Sequence, residues 1–200
     1  MAALTKTAAI ELFALQSVAS NTVVISSAQD VGTKFSATVY IHFGRRATTA
    51  LTAGMTFRFE ASSKSSGDGH WYPLATWTTQ IATSETEAAT GTNSAGQKVI
   101  GCASTTNLVA GDSIYIDNTT VLNGEFHRIK SISAGASVTV EDNLTNAQNS
   151  GAATIFDQAE FFSATFDLTS ILRLRLVADG SGTGQAVAIE AHMSTGDTFA

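Results

Sequence analysis

The chain has 200 residues, 44% hydrophobic and 14% charged, with a net charge of −6. That is enough apolar material for one large or two small packed domains, and the charge excludes the basic footprint that nucleic acid or anionic lipid requires. A single cysteine, Cys102, excludes an intrachain disulfide, which fits folding in a reducing cytosol.

The first 82 residues read as five β-strands. Residues 8–15 fit both periods: Leu4, Ala8, Leu12 and Leu15 suit a helix, Ile10, Leu12 and Ala14 a strand, and the β character of the neighbours favours strand. Glu11 interrupts the only apolar stretch near the start, so no secretory leader is expected. No run is long enough to span a membrane. Residues 21–27 are β-branched and bounded by polar residues. Val39-Tyr40-Ile41-His42-Phe43 and Thr56-Phe57-Arg58-Phe59-Glu60 alternate with period two, placing Arg58 and Glu60 outward. After the turn Gly67-Asp68-Gly69, the run from His70 to Trp77 contains the only proline, Pro73, which confines it to a sheet edge. Trp71 and Trp77 share parity there and are expected on one face, in the core.

Residues 83–96 hold no large apolar side chain and read as a linker. A compact series follows: residues 98–103, Ser113-Ile114-Tyr115-Ile116-Asp117, a hairpin signal at Asn123-Gly124, Phe126 to Ile132, a turn at Ala134-Gly135-Ala136, and Ser137 to Glu141. This is the outline of a small barrel of five short strands. Polar residues 143–153 lead back to three further strands. In Leu172-Arg173-Leu174-Arg175-Leu176 the leucines share one face and the arginines the other. Antiparallel pairing of this run with residues 186–193, through a glycine-rich hairpin loop at 178–185, is expected, with a mobile polar tail from Ser194.

The resulting fold class is all-β. Residues 1–82 and 158–200 form a discontinuous antiparallel β-sandwich, jelly-roll or Ig-like, and residues 83–157 an inserted SH3-like β-barrel with polar linkers. Some barrels of that type bind RNA. Here residues 84–157 carry three basic against eight acidic residues, net −5, the wrong sign for phosphate contact.

No arrangement points to catalysis. His42, His70, His127 and His192 have no histidine or cysteine at metal-ligand spacing, and no Gly-x-Ser-x-Gly elbow occurs. Cys102, within Val99-Ile100-Gly101-Cys102, reads as a small core side chain. Asp112, Asp117, Glu141, Asp142 and the Gly67-Asp68-Gly69 turn are oxygen-rich, but they lack the EF-hand pattern, so no metal and no cofactor is assigned. Gly180-Ser181-Gly182-Thr183-Gly184 lacks the lysine and following helix of a phosphate loop.

The outer part resembles a group of small tailed-phage virion structural proteins, several of which look like capsid cement (decoration) proteins. The likeness lies in Val39-Tyr40-Ile41-His42-Phe43-Gly44-Arg45, Phe57-Arg58-Phe59-Glu60-Ala61-Ser62, Gly67 through Leu74, and Leu174 through Met193. It implies a non-enzymatic homo-oligomer, such as a trimer, on the capsid exterior, partnered by the major capsid protein and assembled in the host cytoplasm. Arg45, Arg46, Arg58, Arg173 and Arg175 are the candidate interface contacts, because guanidinium groups suit interface pairing; a solvated strand face is the alternative reading. The rival functions are a phage tail component (tube, baseplate or fibre) and a carbohydrate-binding module using the tryptophans.

Overall fold

The computed structural model describes residues 8–67, 69–149 and 151–197. Its strands are β1 (Ile10–Val18), β2 (Val23–Ile25), β3 (Gln29–Asp30), β4 (Lys34–Arg45), β5 (Thr56–Ser62), β6 (Tyr72–Thr78), β7 (Thr86–Thr90), β8 (Val99–Cys102), β9 (Ser113–Asn118), β10 (Glu125–Ser133), β11 (Ser137–Val140), β12 (Ala153–Phe156), β13 (Glu160–Asp167), β14 (Arg173–Asp179) and β15 (Val187–Asp197). Their pairings are antiparallel. They form a sheet ordered β1-β15-β4-β13, a sheet ordered β2-β14-β5-β6 with β3 also on β14, and a closed barrel ordered β10-β11-β8-β7-β12-β9. The barrel strands are consecutive in the chain; the two open sheets take the strands before and after them. No helix among the described residues is long and apolar enough to cross a membrane.

The two open sheets share one core. Alternation along β4 turns Val39, Ile41 and Phe43 inward, and alternation along β5 and β14 turns Phe57, Phe59, Leu174 and Leu176 toward them. Each such side chain stabilises the fold by roughly 1.5–3 kcal/mol when fully buried. Aromatic rings dominate this core. Phe43 meets Phe57 edge to face at 6.4 Å, and Phe59 meets Phe166 at 5.2 Å.

The expected β14–β15 hairpin does not form. β14 lies in one sheet and β15 in the other, facing each other across the core. Alternation shows that a strand has a buried face, and a strand packed opposite satisfies it as well as a strand hydrogen-bonded beside it. The glycine-rich loop is therefore a crossing between sheets. It is held by Gly180 N–H donating to Thr22 O and by Thr52 N–H donating to Thr183 O. The tail also departs from expectation: residues 194–197 extend β15 along β4, and residues 198–200 lie outside the described ones.

The barrel has six strands where five were expected. Four of the six, β8 to β11, fall on the runs named in the sequence; β12 follows the polar return, and β7 lies inside the segment read as linker. Its Glu87 and Ala89 point inward although neither is a large apolar residue. β7 pairs with β8 on one side and β12 on the other, closing the ring. The barrel core is aliphatic: Ile100, Ile114, Ile116, Ile129, Val138 and Ile155, with Cys102 buried among them. Burial pushes the Cys102 thiol up. Asn123-Gly124 does lie between paired strands, β9 and β10, but within a longer connection that includes a 3-10 turn at Val121–Asn123. Gly124 is required there by close approach, since a Cβ would stand 2.4 Å from the Tyr115 hydroxyl.

Candidate functional site

The barrel sits on the outer face of the first sheet, and His42, Glu190, Arg46, Asp117, Glu125 and His127 lie at or beside this joint. Along β4 the outward positions are Tyr40, His42 and Gly44. Pairing sets Glu190 of β15 and Phe161 of β13 beside His42. β9 and β10 bring Tyr115 and Phe126 down onto them. Gly44 has to be glycine here: a Cβ would lie 2.5 Å from Tyr115 Cγ. Tyr115 is fully buried, in a cluster with Phe156, Ala159 and Ala188. Phe126 stacks at 4.9 Å from Tyr115, 5.3 Å from His42 and 6.2 Å from Phe161.

A polar clamp flanks this aromatic wedge. Arg46 Nε donates to Asp117 Oδ1 at 2.8 Å and Nη1 donates to Ser17 Oγ at 2.8 Å, so one guanidinium ties β1 to the barrel. The Tyr115 hydroxyl donates to Asp117 Oδ1 at 3.2 Å. Burial, helped by the Asp117 charge, pushes the Tyr115 hydroxyl well above the usual tyrosine range.

Two clefts open on either side of Phe126 and His127. One, of about 480 Å³, is walled by His42, Phe126, Phe161, Arg128, Glu141 and Asp142. The other, of about 340 Å³, is walled by Leu15, Leu122, Glu125, Asn146 and Glu190. Two carboxylates of the smaller cleft, Glu125 and Glu190, are already engaged. Glu125 accepts from Thr145 N–H at 2.8 Å, Asn146 N–H at 2.6 Å and Gln148 Nε2 at 2.9 Å, and lies 2.9 Å from His127 Nε2. Burial is the largest single influence on Glu125 and would raise its carboxyl, but His127 and these three donors together hold it below the usual glutamate value. Glu190 is held low chiefly by His42, against the opposing effect of burial, with His192 adding to the depression. His192 Nε2 lies 3.0 Å from Glu190, whereas His42 Nδ1 stands at 3.4 Å without hydrogen-bond alignment, so that contact is electrostatic. Among the described residues no three His, Cys, Asp or Glu side chains converge so as to hold a metal ion. Of the oxygen-rich turn residues, Asp112 accepts from Val109 N–H, Asp117 belongs to the clamp, and Asp68 lies outside the described residues.

The five arginines do not converge. Arg45 is buried, at 2% exposure, with its Nη2 donating to Gln80 O at 2.7 Å and its guanidinium 5.8 Å from the Phe43 ring centroid. Its parity with Ile41 and Phe43 turns it inward, a signal already present in the sequence. Burial lowers its pKa, opposed by Glu160 and Asp157. Arg46 forms the clamp. Arg58, Arg173 and Arg175 share the outer face of the second sheet. Arg58 reaches Asp179 at 3.1 Å and Arg175 reaches Glu60 at 2.7 Å, while Arg173 donates to the carbonyls of Lys64 and Gly67.

Trp71 lies on this outer face too, with Arg175 at 4.2 Å and Arg173 at 5.0 Å from its ring centroid, whereas Trp77 packs against the core. The two tryptophans therefore do not share a face. A β-bulge explains the difference: Phe59 pairs with Ala75 but Glu60 pairs with Pro73, so Leu74 is an extra residue and inverts the parity of everything before it. The guanidinium groups occupy the ring surface that a sugar would need.

No protein-family model and no curated protein sequence matches the chain. Among solved structures it is similar to the SPBc2 prophage-derived protein YomS, at 11% identity over 98% of this chain and 97% of that one, with a TM-score of 0.33. It is similar also to VP17, a capsid protein of bacteriophage P23-77, at 9% identity over 99% of each chain and a TM-score of 0.23. A third likeness is to infectious bursal disease virus, Gt strain, at 9% identity over 97% of this chain and 42% of that one, with a TM-score of 0.24. Phage and viral proteins thus recur among these structures, but at TM-scores of this size the likeness carries no argument about this chain.

Proposed function

We propose that the chain is a non-enzymatic virion structural protein, a capsid cement (decoration) protein that binds the exterior of the major capsid protein lattice and stabilises it. In this reading residues 1–82 and 158–200 are a discontinuous sandwich that grips the shell, and residues 83–157 are an inserted barrel braced on it. The observation that carries it is the part of the first sheet's outer face that the barrel leaves open. There Thr38 pairs with Thr165 and Ser194, and Tyr40 pairs with Ser163 and His192, giving a patch of mostly short polar side chains around a 45%-exposed tyrosine, with Asp167 beside Ser36 at its margin. Short side chains let another polypeptide approach closely at little rotamer cost, and a central tyrosine supplies contact area with a polar tip. Repeated copies on a lattice add avidity to a modest single contact.

Arg58, Arg173 and Arg175 become available to acidic groups of a shell only by exchanging their present partners. The smaller cleft at the joint is better understood as the seam of a braced connection, because its Glu125 and Glu190 carboxylates are engaged by internal partners.

Adding the purified protein to undecorated capsids tests the proposal. Co-sedimentation and a raised temperature of capsid disruption are expected, with both effects reduced by Tyr40→Glu. Absence of co-sedimentation with shells, or binding to tails alone, overturns it.

A further inference from the structure

Among the described residues the two open sheets have four edges, and three of them are guarded. Exposed strand edges invite pairing with other chains, and proteins blunt them with bulges, proline, charge or shortness. β1 is irregular, its register with β15 shifting between Glu11 and Phe13 and again between Phe13 and Gln16. β2 and β3 are three and two residues long. β6 carries Pro73 and the bulge at Leu74.

β13 has none of these devices. Its eight residues pair with β4 in unbroken register from Glu160 to Asp167, and among the described residues it pairs with no other strand. Between those terminal acids, Phe161-Phe162-Ser163-Ala164-Thr165-Phe166 holds no charge and no proline. Phe161 is 45% exposed, and Phe162 and Phe166 cover the core only partly.

We propose that β13 pairs antiparallel with β13 of a second copy of this chain, about a two-fold axis normal to the sheet, joining the two first sheets into one eight-stranded sheet. The sequence of β13 is complementary to itself in one register. Faces match across a sheet only when residues of like parity oppose. Centred on Ala164, the pairing sets Phe162 against the second copy's Phe166 on the core side and Ser163 against its Thr165 on the outer side. Phe161 then faces Asp167, and Glu160 faces Leu168, so no acid meets an acid despite two chains of net charge −6. Shifting the centre to Ser163 loses the Phe162–Phe166 match and sets Phe166 against Glu160. The geometry also keeps the barrels apart. Each sits at the Phe161 end of its own β13, and antiparallel pairing sends these ends in opposite directions. A second copy is favoured over a foreign strand because it supplies this match with no further assumption. The inference is independent of shell binding, and it would double the outer face described above.

Light scattering during gel filtration reads the result directly. The wild type is expected at twice 20.8 kDa. Ser163→Lys with Thr165→Lys sets lysine against lysine at both pairs and is expected to give a monomer with an unchanged circular dichroism spectrum. The doubly glutamate-substituted chain should also be monomeric, and mixing the two should restore a dimer containing one of each. As a check that does not depend on these variants folding, Ala164→Cys in a Cys102→Ala background should form a disulfide-linked dimer on mild oxidation. A monomeric wild type, a lysine variant that stays dimeric, or failure of both the mixing and cysteine experiments overturns the proposal. So does an edge whose amides become protected only when capsids are added, which would assign it to a shell arm.

Discussion

The barrel and the open sheets solve the same problem in opposite ways. The barrel closes on itself, so every strand has two neighbours and its core needs only aliphatic side chains such as Ile114 and Ile155. The open sheets leave four edges and fill a wider gap with Phe43, Phe57, Phe59 and Met55. Closure removes the surfaces through which β-proteins associate, and openness retains them. The free strand edges therefore belong to the sheets, while the barrel is fixed to them through the joint.

The largest test of this contrast is a core deletion in each half. Phe57→Ala should cost about 3–5 kcal/mol and Ile114→Ala about 2–5 kcal/mol. Both tryptophans belong to the second sheet's neighbourhood, Trp77 on the core and Trp71 under the arginines, so tryptophan fluorescence reports the sheets while far-ultraviolet circular dichroism reports both halves. In urea, the two signals of the wild type are expected to coincide because the joint is tight. If Ile114→Ala lowers the dichroism midpoint and leaves fluorescence untouched, the halves are independent and the joint does not couple them.

Much of this architecture was legible in the sequence. The alternation in residues 39–43, 56–60 and 172–176 marked β4, β5 and β14, and the compact rhythm from residue 98 marked the barrel. What failed was information that alternation does not contain. Leu174 and Ile189 both report a buried face, but not whether their strands share a sheet or oppose each other across a core. Trp71 was misplaced by the single extra residue Leu74, which a period-two reading cannot detect. β7 was missed because neither of its inward residues, Glu87 and Ala89, is a large apolar side chain, and only ring closure makes them strand. At the joint, Gly44 gave no signal, since the need for it arises from Tyr115, 71 positions later. Arg45 could have been read as inward, by its parity with Phe43.

The joint itself is the next place to break the comparison. Gly44→Ala forces a methyl group into the Tyr115 ring and should cost about 1–3 kcal/mol, the usual range for overpacking. Its expected signature is a separation of the fluorescence and dichroism midpoints, which a general loss of stability would not produce.

Acidity separates the halves more gently, and by sign. The Glu125 carboxyl in the barrel is held below the ordinary glutamate value of 4.5, so its stabilisation is complete above that pH and is lost as pH falls through the depressed folded value. Glu160 in the first sheet is shifted the other way. Burial raises it above 4.5, against the Gln80 N–H and Arg45, so it carries a penalty at neutral pH that fades as pH falls through its raised value toward 4.5. Melting temperature followed down the acid limb should thus fall less steeply in Glu125→Gln than in wild type. Glu160→Gln should leave that limb as steep and lose only the compensating gain at its upper end. Identical limbs in all three proteins would show that neither carboxylate is linked to folding.

The smallest effect is expected at the clamp. Arg46 and Asp117 are only 20% and 19% exposed and in direct contact, yet the pair stands near water, where such bridges contribute about 0–1 kcal/mol. Arg46→Lys retains the charge but not the fork that reaches Asp117 and Ser17 at once. It should lower the midpoint by about 0.5–1 kcal/mol, less than Gly44→Ala. Because the fork links β1 to the barrel, the small loss should appear with a slight separation of the two signals, in the same direction as Gly44→Ala produces. Were Arg46→Lys to cost more than Gly44→Ala, polar bridging and not aromatic packing would be what holds the barrel on the sheet.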